Sequence, residues 1–407
     1  MHDIFLLLGG NKLNYGIYNK FHKKGYLIYV VDWNQSPYLK GDCHLQIDVK
    51  DAKAIIEALK SKNLLSNIRF VYTSIDLAVR SVMEINQAIG FNTLSVESLK
   101  YVSSKSSMTD KWNKSNLLNR FSGVYDEYDN NILELNQNYD LIIKPDNSSS
   151  SRGITICRRK SDAKYIRDSF EKAKNEASNS LVVVEEFVTG TEFTVEMLGD
   201  GVGNVAVYAI SKKTHTEYVD NNKIAIKLHY NSVEHNLQKK IAEYAIKCYK
   251  SLELANSFGH LEILLKSNGD LSPIEIGARS SGFIASDLVD IVSGQDYIQD
   301  LMNVQQNGSR VYDGLIPQTN LSSMYFFYNI PPGKKVKKET NILEFMDDTI
   351  VSRYSDRSGL KLNQCFENIA DDNSRIGYEI LEGPASILTL QYVEDAEIRM
   401  LKEMVGE

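Results

Sequence analysis

Two glutamates in the segment GHLEILLKSNGDLSPIEIGARSSG, Glu262 and Glu275, have the residue type and spacing to share a cation. Asn268-Gly269 separates two alternating apolar runs, a pattern that specifies a tight hairpin because a type I′ turn needs positive φ at both central residues. With those two residues as the turn, Ser267 faces Asp270 and, counting outward, Glu262 falls opposite Glu275. The same face would carry His260, Gly277 and Arg279, with Leu261, Ile263, Leu265, Ile274 and Ile276 turned to the core. Like charges opposed across an antiparallel pair are destabilising, so such carboxylates require a compensating cation or a shared proton. A hard divalent ion meets that need, since Mg²⁺ typically takes one or two carboxylates plus substrate phosphates. The alternative is a solvated face with the acids paired to Lys266 or Arg279, and the hairpin alone leaves the two readings even.

A second stretch, IIKPDNSSSSRGI, ends an apolar strand in Lys144, held by Pro145, and runs through four serines to Gly153, where another strand begins. Composition alone suggests a solvated linker. Strands on both sides make it instead a hairpin loop within one unit. The other reading of the run is a mobile loop that closes over phosphate. Near the N-terminus, Gly9-Gly10 after the first strand and Asp32 after the second could mark a dinucleotide site, but GGNKLNYG lacks the G-x-G-x-x-G spacing and the tight-turn reading is preferred.

These residues need a framework. Over the first hundred positions, short apolar runs (DIFLLLGG, YLIYVVDWN, IRFVYTS) alternate with helical periods (YGIYNKFHKKG, DAKAIIEALKSK, DLAVRSVMEINQAIG), which predicts a Rossmann-like parallel sheet. From about residue 140, alternating strands joined by short turns, with a helix from Ser161 to about Ser178 and another over about 232–252, predict an α+β unit. The last hundred residues mix strands with a terminal helix. With 407 residues, 43% hydrophobic and 24% charged, the chain is globular and multidomain. A formal charge of −7 argues against nucleic acid as partner. Four scattered cysteines suggest neither zinc nor disulfides and point to a reducing, cytoplasmic setting. The run IFLLL is too short for a signal sequence or membrane span.

Four motifs in order, TDKWNKSNLL, IIKP…SSRGI, VVVEEFVTGTEFTVE and GHLEILL…LSPIEIGARSSG, resemble the ATP-grasp superfamily, in particular carboxylate-amine ligases of the L-amino-acid ligase type. The resemblance implies an α/β and α+β multidomain protein: a Rossmann-like domain over residues 1–108, an ATP-grasp domain over 109–305 with a lid at about 113–190, and a closing α+β region over 306–407. It implies ATP with Mg²⁺, or Mn²⁺ in its place, bound by Lys111 and Lys144 on the phosphates, Ser151 and Gly153 in the lid loop, Glu185, Glu186 and Val188 beside the adenine, and Glu192 on the ribose. Glu262 and Glu275 match the metal-binding acids, and Arg279 matches the arginine that steadies the transferred phosphoryl group. One departure is Gly277, where many members carry an Asn ligand. The implied reaction activates a small carboxylate as an acyl phosphate and joins it to an amine, releasing ADP and phosphate. A carboxylase or other ligase of the superfamily, or a nucleotide-binding homologue without turnover, are the alternatives. Expected partners are the two small-molecule substrates and a second copy of the chain in a homodimer, with no membrane contact. SSGF at 280–283 would offer backbone N–H groups to a carboxylate at a helix start.

Overall fold

The computed structural model describes residues 3–148, 152–216, 224–281, 285–367 and 375–406. Among these, the strands form three sheets. The first is parallel, built from β1 (Ile4–Leu8), β2 (Leu27–Val31), β3 (Cys43–Leu45) and β4 (Ile68–Thr73) in the order β3-β2-β1-β4. All five residues of β1 are buried, as expected for a parallel strand covered by helices on both faces. This is the Rossmann-like unit predicted from the alternating pattern.

A second sheet holds β5 (Ser122–Tyr125), β6 (Leu141–Pro145), β7 (Thr155–Cys157) and β8 (Val182–Glu186), antiparallel in the order β5-β8-β6-β7. The serine run therefore joins two directly paired strands, with Leu141 opposite Cys157. The helix Ala163–Glu176 covers this sheet with Ile166, Phe170 and Ala173 and is capped by Asp162, whose carboxylate accepts the N–H groups of Lys164 and Tyr165.

The largest sheet contains β9 (Thr191–Gly199), β10 (Val205–His215), β11 (Ala225–Tyr230), β12 (Ser257–Leu265), β13 (Leu271–Gly277), β14 (Gly314–Leu315), β15 (Leu321–Phe327), β16 (Val351–Asp356) and β17 (Tyr378–Pro384). Its order is β13-β12-β9-β10-β11-β15-β17-β16, with β14 beside β10. The C-terminal strands thus extend the central sheet through the β11–β15 pairing, and the expected boundary at 305/306 crosses a continuous sheet.

The helix His235–Ser251 fixes β12 from behind. Its apolar positions Ile241, Ala245 and Cys248 recur at helical spacing and are fully buried. Tyr249 is buried against Gly199 and Gly259, where added Cβ atoms would come within 2.6 Å and 2.7 Å of the ring, and its hydroxyl donates to the Ser257 carbonyl at 2.7 Å. The two glycines make the bed in which the ring lies. Gly259→Ala is expected to lower unfolding stability by about 1–3 kcal/mol through overpacking, measured by urea denaturation; an unchanged midpoint would show that the ring has room to move.

Candidate active site

A cleft of about 850 Å³ opens between the β5–β8 sheet, the central sheet, the loop after β4 and the C-terminal strands. Its floor includes the β12–β13 hairpin, where Glu262 does lie opposite Glu275, though not through the turn expected. The Lys266 N–H donates to the Asp270 carbonyl and the Gly269 N–H to the Lys266 carbonyl, both at 2.9 Å, so Lys266 rather than Ser267 faces Asp270. Gly269 closes this longer turn at φ +87°, a value that favours glycine. The ladder then pairs Ile263 with Pro273 and shifts before Glu262, leaving Ile274 as the extra residue of a bulge. Pro273 is tolerated there because β13 is an edge strand and loses no interior ladder bond. The bulge cancels the extra turn residue and restores the Glu262–Glu275 register. It also turns Ile274, expected in the core, into the cleft wall.

Lysines compensate the facing carboxylates. Lys213 Nζ, on β10, lies 2.5 Å from Glu262 Oε1 and 2.5 Å from Glu192 Oε1, while His215 Nε2 is 3.2 Å from Glu192 Oε2. Burial pushes the Glu192 carboxyl up, but Lys213 and His215 outweigh it and hold it well below the usual range. Burial alone would lower Lys213, yet its two glutamates keep it charged to higher pH than an ordinary lysine. Lys105 Nζ sits 3.2 Å from Glu275 Oε2. Burial again raises Glu275, and Lys105, Lys144 and Arg279 overcome this, bringing it to about 2. These side chains supply hard oxygen donors facing one space. Among the described residues no group of three or more His, Cys, Asp or Glu is placed to hold a metal; Glu262 and Glu275 are the residues that would hold a divalent ion, whose charge would neutralise a ligand's phosphates.

Lys105, which sequence reasoning passed over, stands where Lys111 was expected. Both lie on the helix Lys105–Lys114, but at 3.6 residues per turn they point about 120° apart. Lys111 pairs with Glu253 at 2.7 Å over the Tyr101 ring and is not among the residues lining the cleft. Lys105 lines it and donates to the Ser148 carbonyl at 2.8 Å. Asp146, two residues beyond Lys144, anchors this helix start: its Oδ1 accepts the Ser106 N–H at 2.7 Å and the Ser104 hydroxyl at 3.0 Å. The sequence signal was the serine N-cap, with Ser104 accepting the Ser107 N–H.

Lys144 and Glu185 are both buried in the cleft wall, Nζ to Oε2 at 3.0 Å. Arg120 joins them, its Nε and Nη2 each 3.0 Å from the same oxygen, and its Nη1 donates to Ser272 Oγ at 2.6 Å and to the Pro273 carbonyl at 2.7 Å. Arg120 therefore ties β8 to the bulge of β13. Burial pushes the Lys144 pKa down, with Glu185 opposing and Arg120 reinforcing; Glu185 is depressed by the two cations against its own burial. Glu186 and Val188 line the cleft, and the Glu186 N–H donates to the Phe121 carbonyl at 3.1 Å. Gly153, at φ +73°, lies against Glu176 and Pro145 and is not one of the cleft's lining residues. Ser151, Ser149, Gly282 and Phe283 fall outside the described residues.

Arg279 lines the cleft and is gripped by Asp76 from the loop after β4, Nε to Oδ1 at 2.7 Å and Nη2 to Oδ2 at 2.6 Å. A Cβ on Gly277 would lie 3.0 Å from Asp76 Oδ1, so the glycine makes way for this contact. Because Glu275, Glu185 and Glu192 all have depressed folded-state pKa values, the stability they contribute is complete above the ordinary carboxyl range near 4.5 and is lost as pH falls toward 2. Glu275→Gln is expected to flatten the loss of thermal stability between pH 4.5 and 2; an unchanged slope would show that Glu275 is not held by these cations.

Residues 137–287 match the family model of the ATP-grasp domain. A D-alanine–D-alanine ligase of Cupriavidus pinatubonensis is 22% identical over 195 residues, covering 45% of this chain and 57% of that protein. D-alanine–D-alanine ligase B of Clostridium tetani is 34% identical over 122 residues, 28% of this chain and 32% of that protein. The chain thus matches about a third to just over half the length of these relatives. The crystal structure of an L-amino acid ligase from Bacillus licheniformis superposes with a TM-score of 0.73 at 14% identity, covering 99% of this chain and 98% of that one. The chain has the ATP-grasp fold, and its residues 137–287 are similar to the ATP-grasp domain family.

Proposed function

We propose that the protein is an ATP-dependent carboxylate-amine ligase that forms an amide or peptide bond through an acyl phosphate, releasing ADP and phosphate. The observation that carries this reading is the convergence on one cleft of the opposed acids Glu262 and Glu275 with Lys105, Lys144 and Arg279. Such a set suits phosphoryl transfer, which demands positioning and charge neutralisation rather than a protein nucleophile. Mg²⁺, held by Glu262 and Glu275, would supply the charge that neutralises the nucleotide's phosphates.

The chain's own residues do the rest. Lys105 and Lys144 hold phosphate oxygens from two walls, Lys105 replacing the Lys111 expected there. Ile142, Ile156, Phe187 and Leu264 give an apolar slot suited to a base, with Glu186 and Val188 at its edge, and Glu192 accepts ribose hydroxyls. Arg279, oriented by Asp76, faces the substrate carboxylate as its oxygen attacks the γ-phosphorus and the bond to ADP breaks. The amine nitrogen then attacks the acyl carbon, and the C–O bond to phosphate breaks as phosphate leaves. Four unbridged cysteines and the use of ATP fit a cytoplasmic enzyme; no helix among the described residues is long and apolar enough to cross a membrane.

The test is ADP release in a pairwise screen of small carboxylates and amines, with product mass. Glu262→Ala and Glu275→Ala are each expected to cut kcat by roughly 100-fold or more with the circular-dichroism spectrum retained; a fully active double variant would remove the metal assignment. Lys105→Ala should raise the KM for ATP by about tenfold, the loss of one charge-assisted hydrogen bond, whereas Lys111→Ala should leave it unchanged. The reverse outcome would return the phosphate role to Lys111.

A further inference from the structure

The cleft is longer than a nucleotide site requires, and its character changes in register across the central sheet. Lys213 pairs with Leu228 across β10 and β11, and Leu228 pairs with Tyr325 across β11 and β15. All three line the cleft. Moving along this row, charge ends at Lys213, an apolar wall begins one strand spacing away at Leu228, and Tyr325 follows two spacings away, about 10 Å. The wall is aromatic: the Tyr325 ring lies 4.1 Å from that of Phe327 and stacks on Tyr378 at 5.0 Å between centroids. Tyr325 and Phe327 are buried and line the cleft. Above Phe327 lies Arg375, its guanidinium 4.2 Å from the ring centroid and Nη2 donating to the Ala225 carbonyl at 2.9 Å. Arg375 also lines the cleft.

Resting on the ligase reading above, we infer that this end of the cleft is the subsite for the amine-bearing substrate, and that this substrate is an α-amino acid with a large apolar side chain. The side chain lies on Tyr325, Tyr378 and Leu228. The carboxylate is taken by Arg375, whose planar fork is kept in place by the ring beneath it and is suited to a carboxylate. The amino group is left pointing back along the row toward Lys213 and the acids, where the acyl phosphate forms. A pocket of this kind prefers large apolar side chains by the area they bury and disfavours charged ones, which would be desolvated there. The product is a dipeptide or acyl amino acid with an apolar residue at its carboxyl end.

The experiment pairs ADP release with calorimetric titration of L-phenylalanine, L-leucine, glycine and L-aspartate into the full chain containing Mg²⁺ and a non-hydrolysable ATP analogue. L-phenylalanine and L-leucine are expected to bind at least tenfold more tightly than glycine or L-aspartate. Product mass spectrometry should place the apolar residue on the carboxyl side of the new bond. Arg375→Gln should raise the KM for the amine at least tenfold with little change in kcat or in the KM for ATP, and Arg375→Lys should recover part of it; Tyr378→Leu, which keeps an apolar surface, should shift the preference from phenylalanine toward leucine. ADP release with polar amines only, an apolar residue on the acyl side, or an Arg375→Gln variant with unaltered amine KM would each overturn this assignment while leaving the ligase intact. Absence of ADP release with every pair, alongside tight binding of L-phenylalanine, would sink the ligase reading and keep the pocket. Neither release nor binding would overturn both.

Discussion

Two carboxylates set face to face across an edge hairpin impose the condition that the rest of the site satisfies. Left alone, Glu262 and Glu275 would repel and pull the strands apart or take up a proton. Each is instead met by a lysine from another element, Lys213 from β10 of the same sheet and Lys105 from a helix start. These lysines are themselves buried, which is tolerable only because the acids are there. The arrangement is therefore mutual. It extends through Arg120, which shares Glu185 with Lys144 and reaches the backbone of the bulge, so that the four-stranded sheet and the hairpin are joined by charge as well as by chain.

Much of the fold was legible because periodicity is a local property. The parallel N-terminal sheet and the helix His235–Ser251 follow directly from apolar spacing, and the Glu262–Glu275 pairing was readable even though the turn was not. That last success came from two one-residue departures that cancel, and neither was visible, since a bulge at Ile274 depends on what β13 packs against. Lys105 and Lys111 show the opposite limit. Both are lysines on one amphipathic helix, and only the angle at which that helix meets β6, set by Asp146, decides which one looks inward. Asp76 lies some two hundred positions from Arg279 and left no trace in spacing. Lys213 gave no signal by spacing, since its partners Glu192 and Glu262 lie on β9 and β12.

The continuity of the central sheet bears on how the cleft is walled. β12 and β13 carry the acids, β10 the lysine that joins Glu262 to Glu192 of β9, and β15 and β17 the aromatic end, all in one hydrogen-bonded ladder. Distances along that ladder are fixed by strand spacing rather than by loops. The β5–β8 sheet contributes the opposing wall from a separate set of hydrogen bonds and is tied to the floor through Arg120.

Gly277 has a consequence for the engineering of such chains. An absent side chain in the ATP-grasp domain is matched to a present one, Asp76, in the Rossmann-like domain. The two positions form a lock divided between modules. A chimera that exchanged the first hundred residues for those of a relative would have to carry Asp76 along, or refill position 277, before its arginine was held again. A seam where the chain itself looks freely divisible is thus crossed by a contact that an exchange of modules would break.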